Sequence, residues 1–145
     1  GWLRRRVKKW KFNSAAARSF KGAKMTKILI VEDDRFLAQA YKQAFEKLNC
    51  NTVILYDGAE AIQKAQELLP AVILLDILLP IKDGFTILAE LKADTRTKKI
   101  PVIIASNLGQ DSEVTKGKEL GAENYIIKSE NSLSNITKMI SSFLK

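Results

Sequence analysis

Residues 27–34 read KILIVEDD, a short apolar run that ends in three acids. The run KILIV (27–31) predicts a β-strand, and its lack of polar alternation indicates a strand that is buried on both faces. The run AVILLD (71–76) has the same character and also ends in an acid, Asp76. Strands buried on both faces are typical of a parallel sheet that is covered by helices on each side.

Helical segments separate these two runs from three further strands, so the body of the chain alternates strand and helix. The predicted strands cover residues 27–31, 51–55, 71–76, 100–106 and 124–128. Apolar side chains at helical spacing predict helices over residues 34–48, 58–68, 84–93, 111–120 and 132–144, the last begun by a Ser or Asn cap. The pattern therefore predicts a single α/β domain over residues 25–145, built from five βα units.

The basic charge of the chain is confined to its first 24 residues. The 145 residues include 24 basic and 16 acidic ones, and residues 1–24 hold nine of the basic residues and none of the acids. The body is therefore close to neutral, which argues against nucleic acid as a partner, because a nucleic-acid interface needs a basic surface. The composition of residues 1–24 predicts a flexible basic leader, which is either an extension left from protein expression or an upstream part of the natural chain. In the alternative interpretation, residues 1–12 form an interfacial helix that contacts anionic membrane lipid.

The composition excludes several kinds of active site. The chain has no histidine, which excludes histidine acid/base catalysis, histidine metal ligation and Ser-His-Asp triads. Its single cysteine, Cys50, excludes a disulfide scaffold and is expected to be an inert, partly buried thiol. No apolar run approaches the roughly 18 residues of a membrane-spanning helix. The remaining chemistry belongs to carboxylates, hydroxyls and lysines.

Polar side chains stand at the carboxyl ends of four predicted strands: Glu32 and Asp33, then Asp76, then Ser106, and finally Lys128. Ligand sites of parallel sheets form at this edge, so the three carboxylates are expected to converge. Two like charges about 5 Å apart repel by roughly 3 kcal/mol at an effective dielectric near 20, and a divalent cation offsets that repulsion. Oxygen ligands without His or Cys favour Mg²⁺ or Mn²⁺. Lys128 and Ser106 beside them would form a receptacle for a phosphoryl group, with Asp76 as a metal ligand or a nucleophile.

Four motifs in this order, ILIVEDD, LLDILLPIKDG, VIIAS and YIIK, make residues 26–145 resemble the CheY-like receiver domain of bacterial response regulators. The resemblance implies a flavodoxin-like (βα)5 fold with strand order 2-1-3-4-5. It implies that Asp76 is the phosphoacceptor, assisted by Ser106 and Lys128, and that Ser106 and Tyr125 form a switch. It also implies that Mg²⁺ is held by Glu32, Asp33, Asp76 and the backbone carbonyl of Leu78.

The same resemblance implies a function in a two-component phosphorelay. The chain would be a cytoplasmic phosphoprotein rather than an enzyme, although it would assist its own phosphotransfer and dephosphorylation. A sensor histidine kinase or a phosphotransfer protein would donate the phosphoryl group, and a downstream protein would bind residues 111–144. Because no output domain follows the last predicted helix, we expect a stand-alone receiver.

Two alternatives to this function are open. One is a pseudo-receiver that binds proteins without being phosphorylated. The other is a Mg²⁺-dependent phosphohydrolase of similar topology, but such enzymes require a second Asp two residues after the nucleophile, where this chain has Leu78.

The chain departs from the family pattern in three places, one of which is Asn107, where the residue after the hydroxyl position is usually small. Glu32 stands where Asp is more usual, so its longer arm would reach a cation through water. Ser129 stands where the family has Pro, so we expect a trans peptide bond and an altered loop after Lys128. The glycines at 109, 117 and 121 lack the spacing of a phosphate-binding loop and predict turns or helix ends.

Overall fold

The computed structural model describes residues 26–144, and the predicted roles of residues 1–24 lie outside this range. The chain alternates strands and helices: β1 (Thr26–Val31), α1 (Arg35–Glu46), β2 (Cys50–Leu55), α2 (Ala61–Leu68), β3 (Val72–Leu75), α3 (Gly84–Ala93), β4 (Val102–Ser106), α4 (Asp111–Glu119), β5 (Asn124–Ile127) and α5 (Leu133–Ser141). A short 3₁₀ turn, Lys128–Glu130, precedes α5. Within residues 26–144, no helix has the length and apolar character that a membrane crossing requires.

The five strands form one parallel sheet in the order β2-β1-β3-β4-β5, which confirms the predicted fold class and strand order. The switch in strand order lies between β1 and β3. Their carboxyl ends are in register, with Val31 opposite Leu75. The residues that follow these two strands are therefore neighbours at one edge of the sheet, where sites form in folds of this type.

The side chains of the sheet alternate between two hydrophobic clusters, one on each face. On one face, Ile28 and Ile30 of β1 belong to the same cluster as buried residues of α1 and α5. On the other face, Leu29 and Val31 belong to the same cluster as buried residues of α2 and α3. We call these the α1/α5 face and the α2/α3/α4 face, since α4 packs against the second one. The same alternation determines whether a polar side chain at the end of a strand lies on the α1/α5 face or on the α2/α3/α4 face.

Three helices begin where a side chain caps the first turn. Asp34, Asp83 and Ser132 accept hydrogen bonds from backbone N–H groups at 3.0, 3.1 and 3.0 Å, and thus start α1, α3 and α5. Asp34 follows β1 and Asp83 follows β3, the two strands that acids directly follow. These caps therefore fix where the chain turns from the end of each strand into the next helix.

The boundaries of α2 and β4 differ from the prediction because of local contacts. Helix α2 begins at Ala61 rather than at residue 58, because the preceding residues form a turn in which the Ala61 N–H donates to the Gly58 carbonyl at 3.4 Å. The Gly58 N–H donates to the carbonyl of Pro80 at 3.1 Å. A Cβ at Gly58 would collide with the carbonyl oxygen of Lys82. Strand β4 begins at Val102 rather than at residue 100, because Pro101 has no N–H to donate to a ladder.

Candidate functional site

Glu32 and Asp76 are buried carboxylates at the carboxyl edge of the sheet, only 2% and 5% exposed. By strand alternation, Glu32 continues the row of Ile28 and Ile30, and Asp76 continues the row of Leu74, so both lie on the α1/α5 face. Asp33 is exposed. Oxygens of these three carboxylates lie within 4.8 Å of one another. The structure thus brings together the three acids that the sequence placed at strand ends.

Lys128 joins the two buried carboxylates. Its Nζ donates to Oε1 of Glu32 and to Oδ2 of Asp76, each at 3.0 Å. The lysine follows Ile126 of β5 by two positions and therefore faces the same layer as the acids. Burial lowers the pKa of Lys128, but the charges of Asp76 and Glu32 outweigh that effect and leave the pKa raised. One cation therefore compensates two buried anions.

Burial and the neighbouring charge of Asp76 make Glu32 a weaker acid than an ordinary glutamate. Burial, followed by the charge of Asp76, raises the pKa of Glu32 to about 7, against opposing hydrogen bonds from the Asp34 N–H and from Lys128. Without a cation, Glu32 in the folded protein is therefore mostly protonated below about pH 7 and mostly ionised above it. The pKa of Glu32 therefore depends on the charges of both Asp76 and Lys128.

This pKa predicts an unusual dependence of stability on pH. A carboxyl whose pKa is higher in the folded than in the unfolded state stabilises the fold below its unfolded pKa, and this contribution is lost as pH rises through the folded pKa. Between pH 4.5 and about 7, the cation-free protein should lose up to about 3 kcal/mol of its free energy of unfolding. Urea unfolding at pH 5 and pH 8 in the presence of a chelator measures this loss.

Glu32→Gln should flatten that profile, because the amide does not ionise. Glu119→Gln, at the exposed end of α4, should keep the profile of the parent. A decline of equal size in Glu32→Gln would mean that Glu32 is not the group responsible.

The donor set fits a hard divalent cation. All three acids offer oxygen, and two are buried with a single compensating lysine. Mg²⁺ and Mn²⁺ both bind such oxygen ligands and would supply the missing positive charge.

The loop after Asp76 is fixed by close backbone contacts. The Ile77 N–H donates to Oδ1 of Asp76 at 2.7 Å, and the Gly84 N–H donates to the Ile77 carbonyl at 2.8 Å. A Cβ at Gly84 would collide with the carbonyl oxygen of Asp76, so the start of α3 can approach the site only with glycine there. Leu78, whose carbonyl is the predicted backbone ligand, lies in this loop with an exposed side chain.

Ser106 and Tyr125 lie on the α2/α3/α4 face, and one residue connects them. The Leu108 N–H donates to Oγ of Ser106 at 3.3 Å, while the Leu108 carbonyl accepts a hydrogen bond from the Tyr125 hydroxyl. The Tyr125 ring is buried in the hydrophobic cluster of this face. Burial, together with the charge of Glu113, raises the pKa of the Tyr125 phenol. The ring therefore already has the inward orientation that the resemblance implies for a switched state.

Gly117 makes room for that ring. The prediction that Gly117 ends a helix or forms a turn is wrong, because it lies inside α4, buried against β4 and β5. A Cβ at this position would lie 2.8 Å from Cδ2 of Tyr125 and 2.8 Å from Cδ1 of Ile104. Gly121 does follow the end of α4, with φ of +110°, as predicted.

The peptide bond before Ser129 is trans, as are all others within residues 26–144, and the chain turns through Lys128–Glu130 in 3₁₀ geometry. This agrees with the expectation of a trans bond and an altered loop where the family has Pro. The amide of Asn131 donates to the Ile127 carbonyl at 3.0 Å and closes the turn.

Sequence reasoning missed two contributors to the site. The first is Leu108, whose backbone connects Ser106 to Tyr125; a backbone link gives no signal in the side-chain pattern. The second is the ion pair of Lys128 with Glu32. From the sequence, Glu32 was assigned only to cation binding. The shared alternation of β1 and β5 could have indicated that pair.

Residues 28–141 match the family model described as the response regulator receiver domain. A curated relative, the DNA-binding dual master transcriptional regulator RpaA of Synechocystis, is 35% identical over 104 residues, which are 72% of this chain and 43% of that protein. The Escherichia coli transcriptional regulatory protein CpxR is matched to the same extent. The chain thus spans less than half the length of these two relatives.

A solved structure of similar fold is that of the phosphorylated cyanobacterial phytochrome response regulator RcpA. It has a TM-score of 0.71 and 34% identity, covering 83% of this chain and 94% of that one. The Mn²⁺-bound form of response regulator Rcp1 has a TM-score of 0.68 and 32% identity, covering 81% and 90%.

Proposed function

Because the chain belongs to the response regulator receiver domain family of two-component signalling, we propose that it accepts a phosphoryl group on Asp76. The observation that carries this proposal is the placement of Asp76. Its carboxylate is buried at the end of β3, with Lys128 Nζ at 3.0 Å and the carboxylate oxygens of Glu32 and Asp33 within 4.8 Å. The neighbours that are phosphorylated (RcpA) and Mn²⁺-bound (Rcp1) add support from related proteins.

In the proposed reaction, a carboxylate oxygen of Asp76 attacks the phosphorus of a phosphohistidine on a kinase or phosphotransfer protein. The new P–O bond forms as the P–N bond breaks, and the imidazole of the donor leaves with the electron pair of that bond. A bound Mg²⁺ would neutralise charge on the phosphoryl oxygens. Glu32, Asp33, Asp76 and the Leu78 carbonyl would hold it.

Lys128 and Ser106 would stabilise the product. Lys128 is within hydrogen-bond distance of Asp76 before the reaction, so its ammonium group can follow the charge onto a phosphoryl oxygen. The Ser106 hydroxyl, buried and bonded only loosely to the Leu108 N–H at 3.3 Å, could donate to another oxygen. The ionised phosphoryl group adds about −1.5 to −2 charge to the site.

The output would be a change on the α2/α3/α4 face. If Ser106 turns toward the phosphoryl group, the Leu108 backbone loses a partner, and the same residue holds the Tyr125 hydroxyl. A downstream protein that binds residues 111–144 would sense this change, because α4 and the Tyr125 strand β5 lie within that range. The proposal needs two arrangements of the loop with a small free-energy gap, which the phosphoryl contact shifts.

Intact-mass spectrometry after incubation with acetyl phosphate tests the phosphoacceptor function. One phosphoryl group should be added per chain with millimolar Mg²⁺ and none with a chelator. Incubation with beryllofluoride under the same two conditions is the matched control, because that complex mimics the phosphoryl group without group transfer. Absence of labelling in both conditions would instead favour the pseudo-receiver.

A further inference from the structure

Tyr41 carries a polar group that the packing of the core leaves unexplained. The residue lies in the middle of α1 and is completely buried, within the same hydrophobic cluster as Ile30, Leu74 and Ile126. Its hydroxyl has no hydrogen-bond partner among the residues that the structure describes. Buried hydroxyls are nearly always paired, so an unpaired one indicates a partner such as a trapped water.

The fold directs this hydroxyl toward the acidic cluster. Helix α1 starts at the carboxyl edge of β1, immediately after the acids, and side chains of a helix tilt toward its N-terminus. The ring of Tyr41 therefore leans from the middle of α1 toward that edge. Glu32 and Asp76 follow Ile30 and Leu74 on the same face, so the next layer beyond the Tyr41 cluster is the layer of the carboxylates.

Electrostatics supports the same placement. Burial raises the pKa of the Tyr41 phenol, and the carboxylates of Glu32, Asp76 and Asp34 raise it further, with Glu32 the strongest of the three. The phenol is thus a neutral donor that faces negative charge, which is a favourable arrangement for a hydrogen bond to an anion.

We propose that Tyr41 is a positioning residue whose hydroxyl donates to the Glu32 carboxylate through one buried water. Such a water needs two to four polar partners, and the Tyr41 hydroxyl with the carboxylates of Glu32 and Asp76 provides them. Glu32 can accept this bond in addition to those from Lys128 and the Asp34 N–H, because a carboxylate has about four acceptor positions.

The hydrogen bond would keep Glu32 in place when its partner moves. Lys128 binds both Glu32 and Asp76, and it would leave Glu32 if it followed a phosphoryl group on Asp76. The Tyr41 bond is independent of Lys128 and would hold the Glu32 side chain toward the cation site. This consequence rests on the proposed function, whereas the hydrogen bond itself does not.

The test compares two variants that each remove one buried, unpaired hydroxyl. Tyr41→Phe removes the proposed donor. Thr52→Val removes the other such hydroxyl of the described residues, on β2 opposite Ile28 and so about 13 Å along the sheet from Glu32. We measure Mg²⁺ affinity by isothermal titration calorimetry, the midpoint of thermal unfolding in chelator, and the ¹³Cζ resonance of Tyr41 by NMR.

Tyr41→Phe should weaken Mg²⁺ binding by about tenfold and lower the unfolding midpoint, while Thr52→Val should do neither. In cation-free protein, Glu32→Gln should shift the Tyr41 ¹³Cζ resonance, and Thr52→Val should leave it in place. If the Tyr41 hydroxyl has no partner, Tyr41→Phe should instead raise the unfolding midpoint above that of the parent, because the substitution removes an unsatisfied buried group. That result, or a Tyr41 resonance indifferent to Glu32→Gln, would overturn the proposal. Failure of Asp76 labelling alone would leave it standing, because the NMR comparison needs no phosphoryl group.

Discussion

Asp76→Asn is expected to abolish phosphoryl incorporation from acetyl phosphate completely while the protein stays folded. The amide is isosteric with the carboxylate but has no anionic oxygen to attack phosphorus. The change also removes one of two buried anions that share Lys128, so the core does not lose a needed charge. Intact-mass spectrometry with Mg²⁺ measures the incorporation, and circular dichroism measures the fold.

Asp83→Asn is the matched control for this variant. Asp83 caps α3 through the Thr86 N–H in the same loop, and Asn is an equally good cap. This control should therefore be phosphorylated like the parent. If Asp76→Asn still incorporates a phosphoryl group, or if only Asp83→Asn fails to do so, Asp76 is not the acceptor.

Lys128→Met should destabilise the cation-free protein by about 3 to 5 kcal/mol at pH 8, because removal of one partner leaves buried charges uncompensated. Here two carboxylates, Glu32 and Asp76, would face each other without their shared cation. The loss should shrink toward pH 5, where Glu32 takes up a proton. Urea unfolding in chelator at both pH values measures the effect.

Lys82→Met provides the comparison for the lysine. Lys82 pairs with Glu90 at 2.7 Å, a shorter distance than the pairs of Lys128, but both of its groups are about a third exposed or more. Exposed pairs contribute less than about 1 kcal/mol, so this variant should be only slightly destabilised at either pH. Equal losses in the two lysine variants would mean that the Lys128 cluster is not electrostatically strained.

The order of strands and helices could be predicted because the signals are local. Uninterrupted apolar runs predicted β1 and β3, and the polar residues after them predicted the three acids whose oxygens lie within 4.8 Å of one another. Alternation along a strand is also a local property, so the layer of Glu32 and Asp76 was available from the sequence as soon as the strands were assigned.

Other features depend on contacts between distant residues and could not be predicted. Nothing in the sequence around Gly58 shows that the backbone of Lys82 leaves no room for a Cβ there. Gly117 resembles any helix-ending glycine until the Tyr125 ring is placed against it. Tyr41 has the helical spacing of an ordinary core aromatic, and only its unpaired hydroxyl distinguishes it.

The alternation of the sheet also separates two kinds of change that such a protein can undergo. Glu32, Asp76 and Lys128 lie on the α1/α5 face, whereas Ser106 and Tyr125 lie on the opposite one. Under the proposed function, substitutions on the exposed surface of α4, such as at Lys118, would therefore alter which protein is recognised without changing Glu32, Asp76 or Lys128. A lineage could thus acquire new partners through exposed helix positions while the buried side chains at the strand ends, Ser106 included, stay the same.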